Sequence, residues 1–275
     1  MLTSLSNDRI KAVSALIKQS KMRKQKGLFV VEGSRMVSEV PAALLQELYL
    51  SESFAKKKEN LPIIEKLTAP KDGRPGLEPV LVSDTVFAKM SDTMHPQGVL
   101  AVVEQPSYSM EQLFAKEKET AGGAFRYLVL ENVQDPGNVG TLLRTSEAAG
   151  VSAVFLSEGC ADLFNPKTVR STMGAIFRVP FFYYKKIEAL LPELKAQGIA
   201  TYAACLEGSE EYTRVSYEKK CAILIGNEGA GLSEAAKEGS GCRVRIPMEG
   251  QVESLNASVS GALFLYEVKR QQSMV

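Results

Sequence analysis

Several reactive residue types are scarce in this chain, and their scarcity excludes whole classes of chemistry. The 275 residues include one histidine, His95, so we do not expect a catalytic triad built on histidine. The four cysteines form no C-x-x-C pair, and no histidine, cysteine and aspartate cluster has the spacing of metal ligands. We therefore predict no bound metal, and reduced thiols of the kind found in the cytosol.

Nucleotide-binding signatures and long apolar runs are also absent. No G-x-x-x-x-G-K-[ST] sequence is present, which excludes a P-loop, and no G-x-G-x-x-G follows the first strand of either predicted domain. No apolar run is long enough to span a bilayer. The first residues lack the apolar core of a signal peptide. These features predict a cytoplasmic protein without a membrane partner.

The net charge is only +1, but basic residues are concentrated in the N-terminal segment. Residues 1–31 contain seven basic side chains against Asp8 alone, and seven minus one gives a local charge of +6. Such a patch suits the phosphates of a nucleic acid, which release counterions when they are neutralised. A solvated helix face would explain the same charges equally well.

The most informative signal is a series of three glycine-bearing segments in the second half of the chain. They cover residues 132–145, 224–232 and 246–258, and each follows an apolar stretch that is typical of a strand. Backbone can approach a ligand only where side chains are absent, so α/β proteins build binding sites from such loops. One loop of this kind would be weak evidence, but three in series predict a common site.

Each motif residue also has an ordinary structural explanation. Arg144 suits bidentate phosphate recognition, but it could instead pair with Glu147 on a helix surface. Asn138 could cap the helix that follows it, and Gly226 and Gly229 could be turn residues. For each residue considered alone, the structural explanation is favoured over a role in ligand binding. Together they leave three glycine-bearing loops without a common purpose.

The alternation of strands and helices predicts two α/β domains. Residues 1–104 form a small unit, in which residues 70–79 are predicted to be loop because they contain three prolines and two glycines. Residues 105–123 are interpreted as a linker with some helix. Residues 124–275 alternate strand and helix again, which predicts a largely parallel sheet covered on both faces.

The three segments resemble motifs 1, 2 and 3 of the SpoU (TrmH) RNA ribose 2′-O-methyltransferases of the SPOUT superfamily. The resemblance covers about residues 125–270, and the first domain resembles the L30e-like substrate-binding domain that many members carry. It implies methylation of structured RNA from S-adenosylmethionine (AdoMet), with 23S ribosomal RNA as the first expected substrate and transfer RNA as the second. It also implies an α/β catalytic domain with a C-terminal trefoil knot, and a homodimer whose active site lies near the subunit interface.

The resemblance assigns roles by position. AdoMet would be held by backbone groups at Gly226, Ile246 and Leu255, and Arg144 is the residue that would activate the ribose hydroxyl. An arginine stays protonated and is a poor general base. We therefore expect Arg144 to clamp an RNA phosphate and to stabilise the developing oxyanion. The other expected active-site residues are Asn138, Glu228, Ser254 and Asn256.

The basic N-terminal segment fits this function, because structured RNA is recognised through its shape and its phosphates. Two alternatives stay open: an RNA-binding protein without catalysis, and a small-molecule enzyme that uses the same cleft. The first would transfer no methyl group from labelled AdoMet, and the second would show no salt-dependent affinity for RNA. The expected RNA-binding residues are Lys18, Lys21, Arg23, Lys24, Lys26 and Arg35.

Overall fold

The computed structural model describes most of the chain, in the ranges 1–70, 76–120 and 122–273. Part of the loop predicted over residues 70–79 lies outside these ranges. The chain divides into two compact units, each built from two stretches. Unit 1 consists of Met1–Pro106 and Asp162–Phe177, and unit 2 of Ser107–Ala161 and Arg178–Val275. Within the described ranges, no helix is both long enough and apolar enough to cross a membrane.

The regular elements alternate along the chain as expected for an α/β protein. The strands are β1 Leu28–Glu32, β2 Leu45–Ser51, β3 Val80–Val82, β4 Val99–Glu104, β5 Phe125–Leu130, β6 Ala153–Ser157, β7 Phe181–Tyr184, β8 Ala200–Ala204, β9 Glu210–Glu211, β10 Lys220–Ile225 and β11 Cys242–Arg245. The helices are α1 Asp8–Lys18, α2 Ser20–Lys26, α3 Ser34–Ser38, α4 Glu52–Lys56, α5 Leu61–Thr68, α6 Asp84–Met90, α7 Met110–Glu119, α8 Pro136–Ala149, α9 Pro166–Thr172, α10 Ile187–Ala196, α11 Glu234–Gly239 and α12 Ala257–Gln272.

Unit 1 contains a four-stranded mixed sheet with the order β1-β4-β2-β3. Strand β4 pairs antiparallel with β1 and β2, and β2 pairs parallel with β3. Helix α1 covers this sheet because its apolar residues recur at helical spacing and its first turn is capped by Asn7. Its buried residues are Ile10, Val13, Leu16 and Ile17.

Arg23 is a structural residue of unit 1, although it was predicted to contact RNA. It is 3% exposed, and its Nε and Nη2 donate to the Asp162 carboxylate at 3.0 and 2.6 Å. Its Nη1 donates to the carbonyls of Leu16 and Ile17 at 2.7 and 2.9 Å. Carbonyls at a helix end lack intrahelical partners, so these two bonds cap the end of α1. A buried guanidinium whose three nitrogens are engaged cannot reach a phosphate, which corrects the prediction for this residue.

Unit 2 contains a seven-stranded sheet with the order β7-β6-β5-β10-β8-β11-β9. Every pairing in it is parallel, which confirms the predicted sheet type. Strand β10 lies between β5 and β8, so strands that are distant in sequence lie side by side. The residues of β5 from Tyr127 to Leu130 are buried, as expected for a parallel strand covered on both faces.

Helix α12 packs against α8 and β10 in unit 2. A Cβ at Gly261 of α12 would lie 2.3 Å from Cδ2 of Leu142 in α8, so the glycine permits the close approach of the two helices. The chain reaches α12 from β11 through residues 246–256. The trefoil knot implied by the family resemblance would require this segment to thread a loop, and that threading stays a prediction.

Replacing Arg23 by alanine should lower the free energy of unfolding by about 3 kcal/mol, because the variant leaves Oδ2 of Asp162 and two helix carbonyls without the donors that Arg23 supplies. Urea-induced unfolding followed by circular dichroism measures the change. The exposed neighbour Lys24 provides the control, and Lys24→Ala should change stability by less than about 0.5 kcal/mol. An unfolding midpoint of Arg23→Ala equal to that of the wild type would contradict the structural role.

Candidate active site

The candidate site lies at the carboxyl edge of the sheet in unit 2. Strand β5 is followed by the first motif, β10 by the second and β11 by the third. The carboxyl ends of parallel strands share one edge of a sheet, where open α/β proteins bind ligands. Because β10 pairs with β5, and β8 joins β10 to β11, the three motifs emerge close together.

The side chain of Asn138 connects all three motifs. Its Nδ2 donates to Oε1 of Glu228 in motif 2 at 2.9 Å, and its Oδ1 accepts from Nδ2 of Asn256 in motif 3 at 2.9 Å. Asn138 is 8% exposed, so water competes little for these bonds. The alternative that Asn138 caps α8 is wrong. The cap is Asp135, whose carboxylate accepts from the backbone amide of Asn138 at 2.9 Å.

Glu228 holds the loop before α8 from the side of motif 2. Its carboxylate accepts from the backbone amides of Gln134 and Asp135, each at 3.1 Å, in addition to the bond from Asn138. Partial burial acts to raise the pKa of Glu228, but the bonds from Asn138 and the two amides outweigh it and hold that pKa below its usual range. Glu228 is therefore an anion at neutral pH, and its charge fixes motif 1 against motif 2.

The second motif folds back on itself as a tight loop. Asn227 and Gly231 exchange two backbone hydrogen bonds of 3.0 Å, and Oδ1 of Asn227 accepts from the amides of Gly229 and Ala230 at 2.9 Å. A Cβ at Gly226 would lie 2.3 Å from the backbone of Gly231. Only glycine fits there without moving the loop, so Gly226 is required by close backbone approach rather than by a turn alone.

Two polar contacts that sequence reasoning did not identify bind the same loops. Nδ2 of Asn227 donates to the Asn132 carbonyl at 2.8 Å. The buried carboxylate of Glu131 accepts from the amide and the hydroxyl of Ser233, both at 2.8 Å. The sequence signal for these residues is their position, since Glu131 and Asn132 directly follow β5 and Asn227 comes shortly after β10.

A cleft of about 340 Å³ opens beside the Gly226 loop. Ala204, the last residue of β8, and residues 205–207 after it also line the cleft, and they were not identified from the sequence. Ile246 is half-buried and does not line the cleft. The predicted site residues that line it are Gly226, Glu228, Ser254 and Leu255.

Arg144 lies on the exposed side of α8 and does not line this cleft. Within the described part of the chain, its side chain makes no hydrogen bond or ion pair. The expected alternative, a surface pair with Glu147, is not formed. Glu147 pairs instead with Arg178, whose Nη2 lies 3.1 Å from Oε2 of Glu147. The guanidinium of Arg144 is therefore available to a group from outside this chain.

The remaining basic residues predicted to contact RNA lie on the first three helices of unit 1. All of them are exposed, in contrast to Arg23. They are Lys18, Lys21, Lys24, Lys26 and Arg35.

Comparison with known proteins gives matches in both parts of the chain. Residues 126–266 match the SpoU rRNA Methylase family, and residues 7–101 match the MRM3-like substrate binding domain. A relative from Bacillus subtilis, the 23S rRNA (guanosine(2553)-2′-O)-methyltransferase RlmP, is 31% identical over 268 residues, which are 98% of this chain and 98% of RlmP.

Solved structures give the same result. The AdoMet-bound rRNA methyltransferase from Sinorhizobium meliloti is 30% identical with a TM-score of 0.83, over 98% of this chain and 97% of that one. The SpoU methyltransferase AviRb from Streptomyces viridochromogenes, in complex with AdoMet, is 25% identical with a TM-score of 0.83, over 97% of this chain and 98% of that one. These matches confirm the predicted family, fold and methyl donor, and the chain belongs to the SpoU rRNA methylase family of AdoMet-dependent RNA methyltransferases.

Proposed function

We propose that this protein transfers a methyl group from AdoMet to the 2′-hydroxyl of one ribose in 23S ribosomal RNA. The observation that carries the proposal is the joining of three motif loops through Asn138, beside a cleft of about 340 Å³. RlmP, which is similar over 98% of this chain, is named for this reaction on 23S rRNA.

The residues around the cleft fit AdoMet. Gly226, Gly229 and Gly231 of the second motif line the cleft, and at these glycines the backbone can approach a ligand directly, so its amides and carbonyls can hold an adenine. Ile225 and Leu232 add apolar lining. When bound, AdoMet supplies an electrophilic methyl group on a sulfonium. As its binding residues we propose Gly226 and Leu255, which line the cleft, and Ile246, which follows β11 at the same sheet edge.

The polar residues of the site are proposed to align the reacting groups. Methyl transfer to an oxygen depends on the alignment of the reacting atoms, and fixed positioning lowers its barrier. Asn138, Glu228 and Asn256 would provide this alignment because their hydrogen bonds fix the loops against each other. Ser254 is exposed at the cleft and is proposed to contact the ribose.

Arg144 is proposed to bind the RNA rather than to remove a proton. Its guanidinium, which has no partner among the described residues, matches the geometry of a phosphate, to which arginine donates two parallel hydrogen bonds. A cation held there would stabilise the negative charge that develops on the 2′-oxygen as its proton leaves.

We propose that two copies of the chain pair through the exposed faces of α8 and α12. Nζ of Lys269 in α12 donates to the Ala148 carbonyl of α8 at 3.1 Å, so the exposed faces of the two helices adjoin. Arg144 lies one helical turn before Ala148, and pairing would bring it close to the second copy. The apolar residues exposed on α12 are Val259, Leu263 and Tyr266.

We propose that residues 1–104 bind the RNA substrate and that residues 124–275 carry out catalysis, with residues 105–123 between them. Lys18 at the end of α1, the exposed lysines of α2 and Arg35 would contact phosphates, whereas Arg23 is left out because it is buried. A ribosomal RNA substrate would place the protein in the cytoplasm.

Replacing Arg144 by alanine should reduce methyl transfer by about 100-fold or more, since the loss of one donor to a developing oxyanion has an effect of this order. AdoMet affinity should be unchanged because Arg144 does not line the cleft. Transfer is measured with labelled AdoMet and in vitro transcribed 23S rRNA, and the modified ribose is mapped by its resistance to alkaline cleavage. Calorimetry measures AdoMet affinity.

Arg144→Lys is the matched control, because lysine keeps the charge and loses the two-pronged geometry, so its activity should fall between those of wild type and alanine. Unchanged turnover of Arg144→Ala would remove this residue from the mechanism. If the wild type binds 23S rRNA but transfers no label, the protein is an RNA-binding protein without catalysis.

Replacing Gly226 by alanine should weaken AdoMet binding by about tenfold or more, which corresponds to a loss of ~1.4 kcal/mol or more. The reason is that the added Cβ would overlap the backbone of Gly231 and displace the loop that lines the cleft. Calorimetry with AdoMet measures the effect. Gly250→Ala is the control, since a Cβ at Gly250 meets nothing within 4 Å. Equal AdoMet affinity of the two variants would show that the Gly226 loop does not hold the methyl donor.

Replacing Leu263 by glutamate should convert the dimer to single chains, because it places a charge in the apolar face of α12. Light scattering should give twice the chain mass for the wild type and 29.9 kDa for the variant. Leu61→Glu makes the same change at an exposed leucine of unit 1 and should leave the dimer intact. A wild-type mass of one chain would refute the proposed pairing.

A further inference from the structure

Unit 1 contains a groove of about 420 Å³ between α1 and α6. Three lysines line it: Lys11 and Lys18 from α1, and Lys89 from α6. Ser14 and Gln19 add neutral polar groups, and none of the described residues that line the groove is acidic. A concave surface that carries three positive charges, with no carboxylate among its described lining residues, attracts anions.

The packing of α1 against α6 explains why these three lysines lie around one groove. Lys11, Ser14 and Lys18 are three and four residues apart, so they form one stripe along α1. The opposite face of α1 is buried in the core of unit 1, which directs this stripe outward. Helix α6 packs against α1 and contributes Lys89, which lies far from the other two in sequence.

The polar groups around the groove have few partners within the protein. Lys11 pairs with Asp8 at 3.4 Å, but both side chains are largely exposed, and such a pair contributes little. The side chains that make no hydrogen bond or ion pair within the described ranges are those of Ser14, Lys18, Gln19 and Lys89. Their donors are therefore available to a ligand in the groove.

We propose that this groove binds the phosphodiester backbone of the RNA substrate, an inference that rests on the proposed function. Ammonium groups neutralise phosphates without regard to base sequence, and Ser14 and Gln19 could donate to phosphate or sugar oxygens. The half-exposed side chain of Leu5 gives the groove an apolar wall against which a ribose can pack. The stretch that matches a substrate-binding domain, residues 7–101, includes all three lysines.

The groove extends the proposed RNA contacts beyond those identified from the basic N-terminal segment. Gln19 lines the groove and directly precedes α2, which bears Lys21 and Lys24 on its exposed surface. We call the groove lysines together with the exposed lysines of α2 the basic track of unit 1. Lys11 and Lys89 are the residues that this inference adds to the RNA-binding set.

The test compares two triple variants that change the charge of unit 1 equally. One is Lys11→Gln, Lys18→Gln and Lys89→Gln in the groove. The other is Lys56→Gln, Lys57→Gln and Lys58→Gln, three exposed lysines at and after the end of α4. Affinity for in vitro transcribed 23S rRNA is measured by filter binding over a series of salt concentrations, and calorimetry with AdoMet checks that the second unit is intact.

The groove variant should bind the RNA about tenfold or more weakly. The slope of log K against log salt concentration should be smaller in magnitude by about 2, since each phosphate contact contributes roughly 0.7–0.9 to the slope. The control variant should keep the wild-type affinity and slope. Equal losses in the two variants would show that overall charge rather than the groove binds RNA, and would overturn the inference while leaving the methyltransferase function intact.

A second measurement uses the unmodified protein. Lysine acetylation with and without 23S rRNA, read by mass spectrometry, should show protection of Lys11, Lys18 and Lys89 and none of Lys56, Lys57 and Lys58. Groove lysines that remain reactive in the complex would refute the inference. Failure of the wild type to bind 23S rRNA and to methylate it would instead refute the proposed function.

Discussion

The side-chain amide of Asn138 is the group on which the arrangement of the site depends. An amide is both donor and acceptor, so one buried side chain can donate to the Glu228 carboxylate and accept from the Asn256 amide. Aspartate could not donate in this place, and an apolar residue could do neither. Because Glu228 also binds the amides before α8, the start of that helix and the second motif fix each other. The three loops therefore have one mutual geometry rather than three independent ones.

The same residue type has opposite uses in the two units. Arg23 is buried with its three guanidinium nitrogens engaged, and it contributes to stability. Arg144 is exposed, and its side chain has no partner within the described part of the chain, so its hydrogen-bonding capacity is left for a ligand. The polar residues between the loops resemble Arg23 in this respect, since Asn138 and Glu228 are committed to holding the protein. In the proposed mechanism, positioning and substrate contact are thus divided between different side chains.

The sequence predicts local patterns well, but it predicts poorly which residues far apart in the chain lie next to each other in the fold. The three motifs and the parallel sheet were predictable because glycine-bearing loops and apolar strands are visible in short windows. The insertion of β10 between β5 and β8 was not, so residues 204–207 were missed as part of the cleft. A count of basic residues could not show that Asp162 buries Arg23, nor that α6 places Lys89 beside α1. Each of these depends on tertiary contacts between residues far apart in the chain.

The proposed assignment of RNA binding to unit 1 and of catalysis to unit 2 bears on how the substrate is chosen. Lysine contacts to phosphates add affinity but carry no base sequence, so the basic track of unit 1 would select RNA by the path of its backbone. The reaction at a 2′-hydroxyl involves atoms that every nucleotide shares. In the proposed mechanism Arg144 likewise meets a phosphate rather than a base. The choice of one ribose among thousands would then come mainly from the folded shape of the RNA, which must fit the basic track and reach the cleft at the same time.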